Sequence, residues 1–342
     1  MTISAAVLGA SGFAGAELLR ILESHPDIQV TAAAASSQVG KPVAGAYPSL
    51  ASVAHLSFVS VEEALASGSD LVFSSLPHNA SMGLFAKAGP KVVDLGGDHR
   101  LDDPSEYEQW FGEPHADPES LAGWVYGLTE FHRKQVEAAD RVANPGCYPT
   151  AALLALAPLV SAGVIEADGI HIDAKSGVSG AGRAGGEGFD FCSANENLAP
   201  YAPTGHKHIA EIEQELALAA GRSVRVSFVP HLVPMNRGIL ATCAGLATPT
   251  TTQGDLTAAL IEAYRDEAFV RVLDLDLPRT KRLSGTNLAE VAVRLDARTG
   301  RVLAFAAIDN LGKGAAGQAV QNANLMFGLA EGAGLGDRPL LP

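Results

Sequence analysis

Over the first 145 residues, short continuous apolar runs alternate with helix-length segments. Ile3–Leu8 reads as a strand, Ala14–Glu23 as a helix ending before His25-Pro26, and Gln29–Ala35 as a second strand. Asp70–Ser74 and Lys91–Leu95 read as two more, each followed by Gly or Pro. Runs that stay apolar on successive residues suit strands buried on both faces. Strands alternating with helices imply right-handed crossovers and a parallel sheet. The N-terminal part is therefore expected to be a doubly wound α/β domain.

The rhythm changes after Cys147. Ile170–Ala174, Val224–Val229, Gly238–Gly245, Leu288–Leu295 and Val302–Ile308 are strand-like, and Asp296–Gly300 joins the last two as a hairpin turn. Helix-like stretches interrupt them at Ile209–Ala220 and Leu256–Asp266. This pattern predicts an α+β domain with a largely antiparallel sheet. Gly312-Lys313-Gly314 then precedes a last helix of small and apolar residues, about 315–329. The switch between domains is expected near Asn144-Pro145-Gly146, and no internal repeat or low-complexity linker is visible.

Composition narrows the class. The chain has 342 residues, 47% hydrophobic and 18% charged, which gives two domains' worth of core and excludes disorder. A net charge of −14 would repel a phosphate backbone or an anionic membrane. The longest apolar stretch, Ala151–Ile165, is short for a membrane span and contains Pro158. Met1-Thr2-Ile3-Ser4 has no basic region of a signal peptide. The cysteines Cys147, Cys192 and Cys243 are odd in number and without metal-type spacing, so a reducing, cytoplasmic setting and no metal are expected.

Candidate chemistry begins directly after the first strand, where Gly9-Ala10-Ser11-Gly12-Phe13-Ala14-Gly15 opens the first helix. Glycines there permit a tight turn and close approach of a pyrophosphate, which the free N–H groups of a helix start then hold. The spacing is G-x-x-G-x-x-G rather than G-x-G-x-x-G, and a purely structural glycine turn is the competing explanation. At the end of the second strand an Asp or Glu would bind the ribose of NAD. Here Ser36, Ser37 and Gln38 stand instead, with Lys41 close behind, so NADP is the expected cofactor.

The sharpest feature is Asn144-Pro145-Gly146-Cys147-Tyr148-Pro149-Thr150. Pro149 suits a first helical position, which would put Cys147 just ahead of a helix whose dipole favours a thiolate. Cys243, inside Ile239–Cys243, and Cys192, after Phe189-Asp190-Phe191, look like packing residues. A nucleotide loop with such a cysteine suggests hydride transfer through a thioester.

This heptapeptide resembles the active-site signature of the N-acetyl-gamma-glutamyl-phosphate reductase family, relatives of the aspartate-semialdehyde dehydrogenases. Further resembling segments follow in order along nearly the whole chain: Gly9–Gly15, Leu76-Pro77-His78, Asp94–Leu101, Lys175–Arg183, Gly205-His206-Lys207-His208 and Asp309–Gly314. His99 departs from the family's aromatic Phe or Tyr but leaves Arg100 in place.

The resemblance implies a Rossmann-type doubly wound NADP-binding domain, 1–145 with about 315–342. It also implies a catalytic and oligomerisation domain, 146–314, in a homo-oligomer (dimer or tetramer). It implies NADPH-dependent reduction of N-acetyl-5-glutamyl phosphate in arginine biosynthesis, through a Cys147 thioester. Gly9, Ser11, Gly12, Phe13, Gly15, Ser36, Ser37, Pro77, Ser179, Gly180 and Asn310 would hold the cofactor, and Arg100 the substrate phosphate. A salt bridge from Arg100 to Asp98 or Asp102 is the structural alternative.

The acid/base is expected to be a histidine. Periodicity does not choose between His206 and His208. His206 follows Gly205 and is expected in the loop or first helical turn, and the resemblance matches it to the catalytic residue, leaving His208 to line the substrate. Competing classes are a phosphorylating dehydrogenase for aspartate semialdehyde or a carrier-linked glutamyl or aminoadipyl phosphate, a non-catalytic dinucleotide sensor, and a metal hydrolase using His206, His208 and His231.

Overall fold

The structure, a computed structural model, describes residues 2–85, 89–183, 185 and 189–339. It divides into two compact units, Met1–Pro145 with Gly182–Ala184 and Ala315–Gly336, and Gly146–Ala181 with Gly185–Gly314 and Asp337–Pro342.

The first unit is built on a six-stranded sheet. Its strands are β1 (Ile3–Leu8), β2 (Ile28–Ala34), β3 (Leu71–Ser74), β4 (Lys91–Asp94), β5 (Val125–Tyr126) and β6 (Arg141–Ala143), in the order β2-β1-β3-β4-β6-β5. Every pairing is parallel. Ala5 to Leu8 are all fully buried, as a central strand covered on both faces requires. Helix Gly317–Met326 packs against helix Thr129–Ala138 and β4. Its apolar face joins the sheet core through Ala319, Val320 and Ala323. Its buried amides tie it down: Gln318 donates to the Gly127 carbonyl, and Asn322 donates to that carbonyl and to Asn144 Oδ1. Asn144 in turn donates to Ala315 O, fixing the chain just before Pro145 and Gly146.

The second unit has a seven-stranded mixed sheet of β7 (Ile170–Gly177), β8 (Ala199–Pro200), β9 (Val226–Val233), β10 (Ile239–Leu246), β11 (Val270–Val272), β12 (Ala289–Asp296) and β13 (Arg301–Ile308). The order is β11-β12-β13-β10-β7-β9-β8. Four pairings are antiparallel, including the expected β12–β13 hairpin, while β7–β9 and β11–β12 are parallel. The helix Cys147–Ser161 lies against β10, β12 and β13 and is buried from Tyr148 to Val160. A helix apolar all round belongs inside. Pro158 removes the N–H that Leu154 O would accept, and the Tyr264 hydroxyl donates to that carbonyl instead, at 2.7 Å.

Several details differ from the sequence reading. The cysteine-bearing helix starts at Cys147, two residues earlier than Pro149 suggests, because proline is tolerated anywhere in a first turn whose N–H groups have no helical acceptor. Cys192 is exposed in a four-residue helix, Phe191–Ala194, with Phe191 80% exposed, so it does not pack in the core. The last helix is entered through a π-turn, Gly312–Ala316. Among the described residues no helix is long and apolar enough to cross a membrane.

Candidate active site

In the first unit the loop between β1 and helix Phe13–Leu22 is shaped by its glycines. Gly9 has φ +75°, and a Cβ there would lie 2.5 Å from Ser75 O. At Gly15 a Cβ would lie 2.3 Å from Gly9 O. Gly12 would meet only Gly9 O, at 3.3 Å, and caps the helix without a side chain. Two glycines thus make the turn and the helix–strand approach, and the third leaves the helix start bare, which fits a dinucleotide pyrophosphate. Ser11 and Phe13 lie half-buried on this loop. Two residues not singled out in the sequence flank it. The Arg183 guanidinium stands 5.3 Å over the Phe13 ring and donates to Tyr47 Oη, which itself donates to Ala10 O. Ser36 and Ser37 are exposed on a 3-10 turn after β2, and Pro77 is exposed in the loop after β3.

Arg100 belongs to the same unit. Its Nε donates to Asn144 O and its Nη2 to Leu95 O, both at 2.8 Å. The loop that carries it is braced by two buried carboxylates, Asp94 and Asp98, which share the Ser81 hydroxyl. Asp98 also receives His78 and Asn79. Burial opposes ionisation of Asp94, but hydrogen bonds from His99, Gly96 and Ser81 hold its carboxyl below the usual range. His99, the departure from the family pattern, keeps an aromatic's place by stacking on Trp124 at 3.9 Å.

In the second unit Cys147, Gly180, His206 and His208 line one cavity of about 420 Å³, together with Tyr148 and Tyr201. Cys147 is the first residue of its helix and partly exposed. Gly314 is required beside it, since a Cβ there would lie 2.9 Å from Cys147 Cβ. His206 lies two residues before helix His208–Ala220, with edge-on contacts to Tyr148, Tyr201 and Phe228. Burial, with the neighbouring Lys207 charge, pushes its pKa down to about 4. The His208 N–H donates to His206 Nδ1, so the neutral ring carries its proton on Nε2. Tyr201 donates to Tyr148 Oη at 3.0 Å, and burial raises both phenols, Tyr201 to about 12. Both stay neutral donors near pH 7. Cys243, fully buried, has its thiol pushed up to about 12.

Ser179 and Asn310 are joined to each other, Asn310 Nδ2 donating to Ser179 Oγ, while Gly238 N–H donates to Asn310 Oδ1. Asp309, buried and paired with the half-buried Arg237, fixes the turn that carries Asn310. His231 lies against Asp173 rather than with the histidine pair, and no metal-holding group of His, Cys, Asp and Glu occurs among the described residues.

Comparison with known proteins shows the family and the fold. The family described as semialdehyde dehydrogenase, NAD binding domain, matches residues 4–139, and semialdehyde dehydrogenase, dimerisation domain, matches 147–310. An N-acetyl-gamma-glutamyl-phosphate reductase of Geobacter metallireducens is 45% identical over 99% of this chain and 100% of its own. That of Symbiobacterium thermophilum is 47% identical over 98% of each. The chain belongs to the N-acetyl-gamma-glutamyl-phosphate reductase family. As a member it is an oxidoreductase of the semialdehyde dehydrogenase type. Solved aspartate semialdehyde dehydrogenases share the fold. The Vibrio cholerae enzyme II has a TM-score of 0.72 at 19% identity, covering 96% of this chain and 98% of that one. The Candida albicans enzyme with NADP has a TM-score of 0.69 at 20%, covering 96% and 99%. Against this reductase family background, Tyr148, Tyr201 and Arg183 are the site neighbours that sequence reading passed over. Tyr148 lies inside the cysteine motif and Arg183 ends the Lys175–Arg183 segment, whereas Tyr201 carries no local signal of its cavity.

Proposed function

We propose that the protein reduces N-acetyl-5-glutamyl phosphate with NADPH to N-acetyl-L-glutamate 5-semialdehyde and phosphate, through a Cys147 thioester, in cytoplasmic arginine biosynthesis. The observation that carries this reading is the single cavity in which a helix-start cysteine meets His206 and His208. The helix start favours Cys147 as thiolate. Its sulfur attacks the acyl carbon, the C–O bond to phosphate breaks, and phosphate leaves with that electron pair. The Gly9–Gly15 loop would hold a nicotinamide cofactor, which when bound would supply the hydride for reduction of the thioester carbon. His206, neutral above about pH 4, offers Nε2–H to the oxygen as negative charge builds on it. The alkoxide then re-forms a carbonyl and expels the Cys147 thiolate, so the aldehyde is released with no net proton taken from the histidine. In this reading His206 acts as a donor rather than as a base, because its Nδ1 already accepts the His208 N–H.

In the same reading Arg100 binds the substrate phosphate, a planar donor fork suiting its oxygens. Ser179, Gly180 and Asn310 would hold the nicotinamide, and Ser36, Ser37 and Pro77 would hold other parts of the cofactor. The second unit mediates a homo-oligomer. The purified protein is expected to reduce NADP with N-acetylglutamate semialdehyde only when phosphate or arsenate is present, and more efficiently than with aspartate semialdehyde. A higher kcat/KM on aspartate semialdehyde, or activity only on a carrier-linked substrate, overturns the assignment.

Cofactor choice gives a separate expectation. With exposed Ser36 and Ser37 and no carboxylate on that turn, kcat/KM is expected to favour NADPH over NADH. Ser36→Asp or Ser37→Asp would narrow or reverse the preference by repelling the 2′-phosphate. Equal use of both cofactors by the unmodified protein refutes this reading of the turn.

A further inference from the structure

The helix that starts at Cys147 has no side-chain cap. Its N-cap is Gly146, and the third helical position, from which a Glu could reach back to the N-cap N–H, is Pro149. That N–H is nevertheless satisfied. Glu211 Oε1 accepts it at 2.6 Å from another helix, His208–Ala220, and Glu211 is only 2% exposed. Glu211 lies in the first turn of its own helix as well, so the positive ends of two helices face one buried carboxyl group. The residue ahead of the cysteine is thereby tied to the helix that begins with His208 and follows His206.

We propose that Glu211 is a positioning residue for the nucleophile, a cap supplied by a second helix that holds the Cys147 helix start against the histidine turn. The proposal rests on the thioester reading above for its kinetic consequence, but its geometric core does not. A capping carboxylate also competes with the thiolate for the same helix end. Negative charge one residue away disfavours a second negative charge, so Glu211 sets how readily Cys147 ionises as well as where it stands. Among the described residues, the other charged or titrating groups on the wall of the cysteine's cavity are His206, Lys207, His208, Tyr148 and Tyr201. Of these only the two histidines and the thiol itself titrate between about pH 5 and 9 in ordinary circumstances. His206 is shifted below that window. His208 is common to every variant compared and can be checked with His208→Ala.

The test uses the whole protein with Cys192→Ser, which removes the exposed competing thiol, and compares Glu211→Gln and Glu211→Ala. The first readout is the pH dependence of Cys147 alkylation by iodoacetamide in the absence of substrate. The second is kcat and KM in phosphate-dependent NADP reduction with N-acetylglutamate semialdehyde. Glu211→Gln keeps an acceptor and loses the charge, so the alkylation midpoint should fall by about one pH unit while most of kcat survives. Glu211→Ala loses the cap, and kcat should drop by roughly 10²-fold, the cost of an ångström-scale misplacement, with KM little changed. An unshifted midpoint in Glu211→Gln, or a parental kcat in Glu211→Ala, overturns the proposal. If the parent protein turns over none of this substrate, the functional reading fails while the alkylation profile still decides the role of Glu211.

Discussion

Replacing Cys147 with serine is expected to abolish turnover while folding and cofactor binding stay close to the parent. The side chain is small and the helix start is capped by Glu211 rather than by the cysteine. Structure is therefore preserved and only the chemistry changes. A hydroxyl is far harder to ionise at neutral pH than a thiol, and a helix end worth at most about 2 kcal/mol does not close that gap. Alkylation offers a second reading of the same expectation. Cys192 is exposed and will react too, so inactivation should follow the labelling of Cys147 and not total thiol loss, while Cys243 stays unlabelled in the fold. Steady-state rates with mapped labelling check this. Turnover persisting in the serine variant above the assay blank removes the thioester from the mechanism.

The second large effect belongs to His206. His206→Ala is expected to lower kcat by roughly 10²–10⁴-fold, the usual worth of a positioned donor or proton-transfer group, and His208→Ala by much less. The pH dependence carries its own sign. The folded pKa of about 4 lies below the ordinary histidine value of 6.5, so between those values the unfolded chain binds a proton that the folded chain does not. Stability from this group is complete above about pH 6.5 and is lost as pH falls toward 4. The parent should lose Tm over that window more steeply than His206→Ala, and kcat should show no histidine limb near pH 6.5 from this residue. A greater loss of kcat at His208 than at His206 reverses the assignment. Small losses at both take histidine out of the mechanism.

Much of the site is readable along the chain because it is built from contiguous segments. Gly9–Gly15 follows a strand and opens a helix, and its glycines are dictated by local geometry: a left-handed φ at Gly9 and a backbone approach at Gly15. Asn144–Thr150 places a cysteine at a helix start for equally local reasons, and proline within that turn misled only as to which residue comes first. Cys192 was misjudged because neighbouring aromatics suggest a core, whereas the segment Phe191–Ala194 is too short to bury both its faces.

The sequence by itself determined the alternation of strands and helices, hence a doubly wound first unit and an α+β second one expected to be largely antiparallel, and it marked the nucleotide loop and the cysteine. These follow from periodicity and from backbone sterics, which act over a few residues. Tertiary structure alone decided which β-strands pair in parallel in the second sheet, that Tyr264 supplies the bond Pro158 removes, and that the histidine is neutral with its proton on Nε2. It also decided that a glutamate 65 positions away caps the cysteine's helix. Each of these depends on burial and on donors and acceptors meeting from distant segments, and a pattern of residue types carries no record of which distant groups desolvation will bring together.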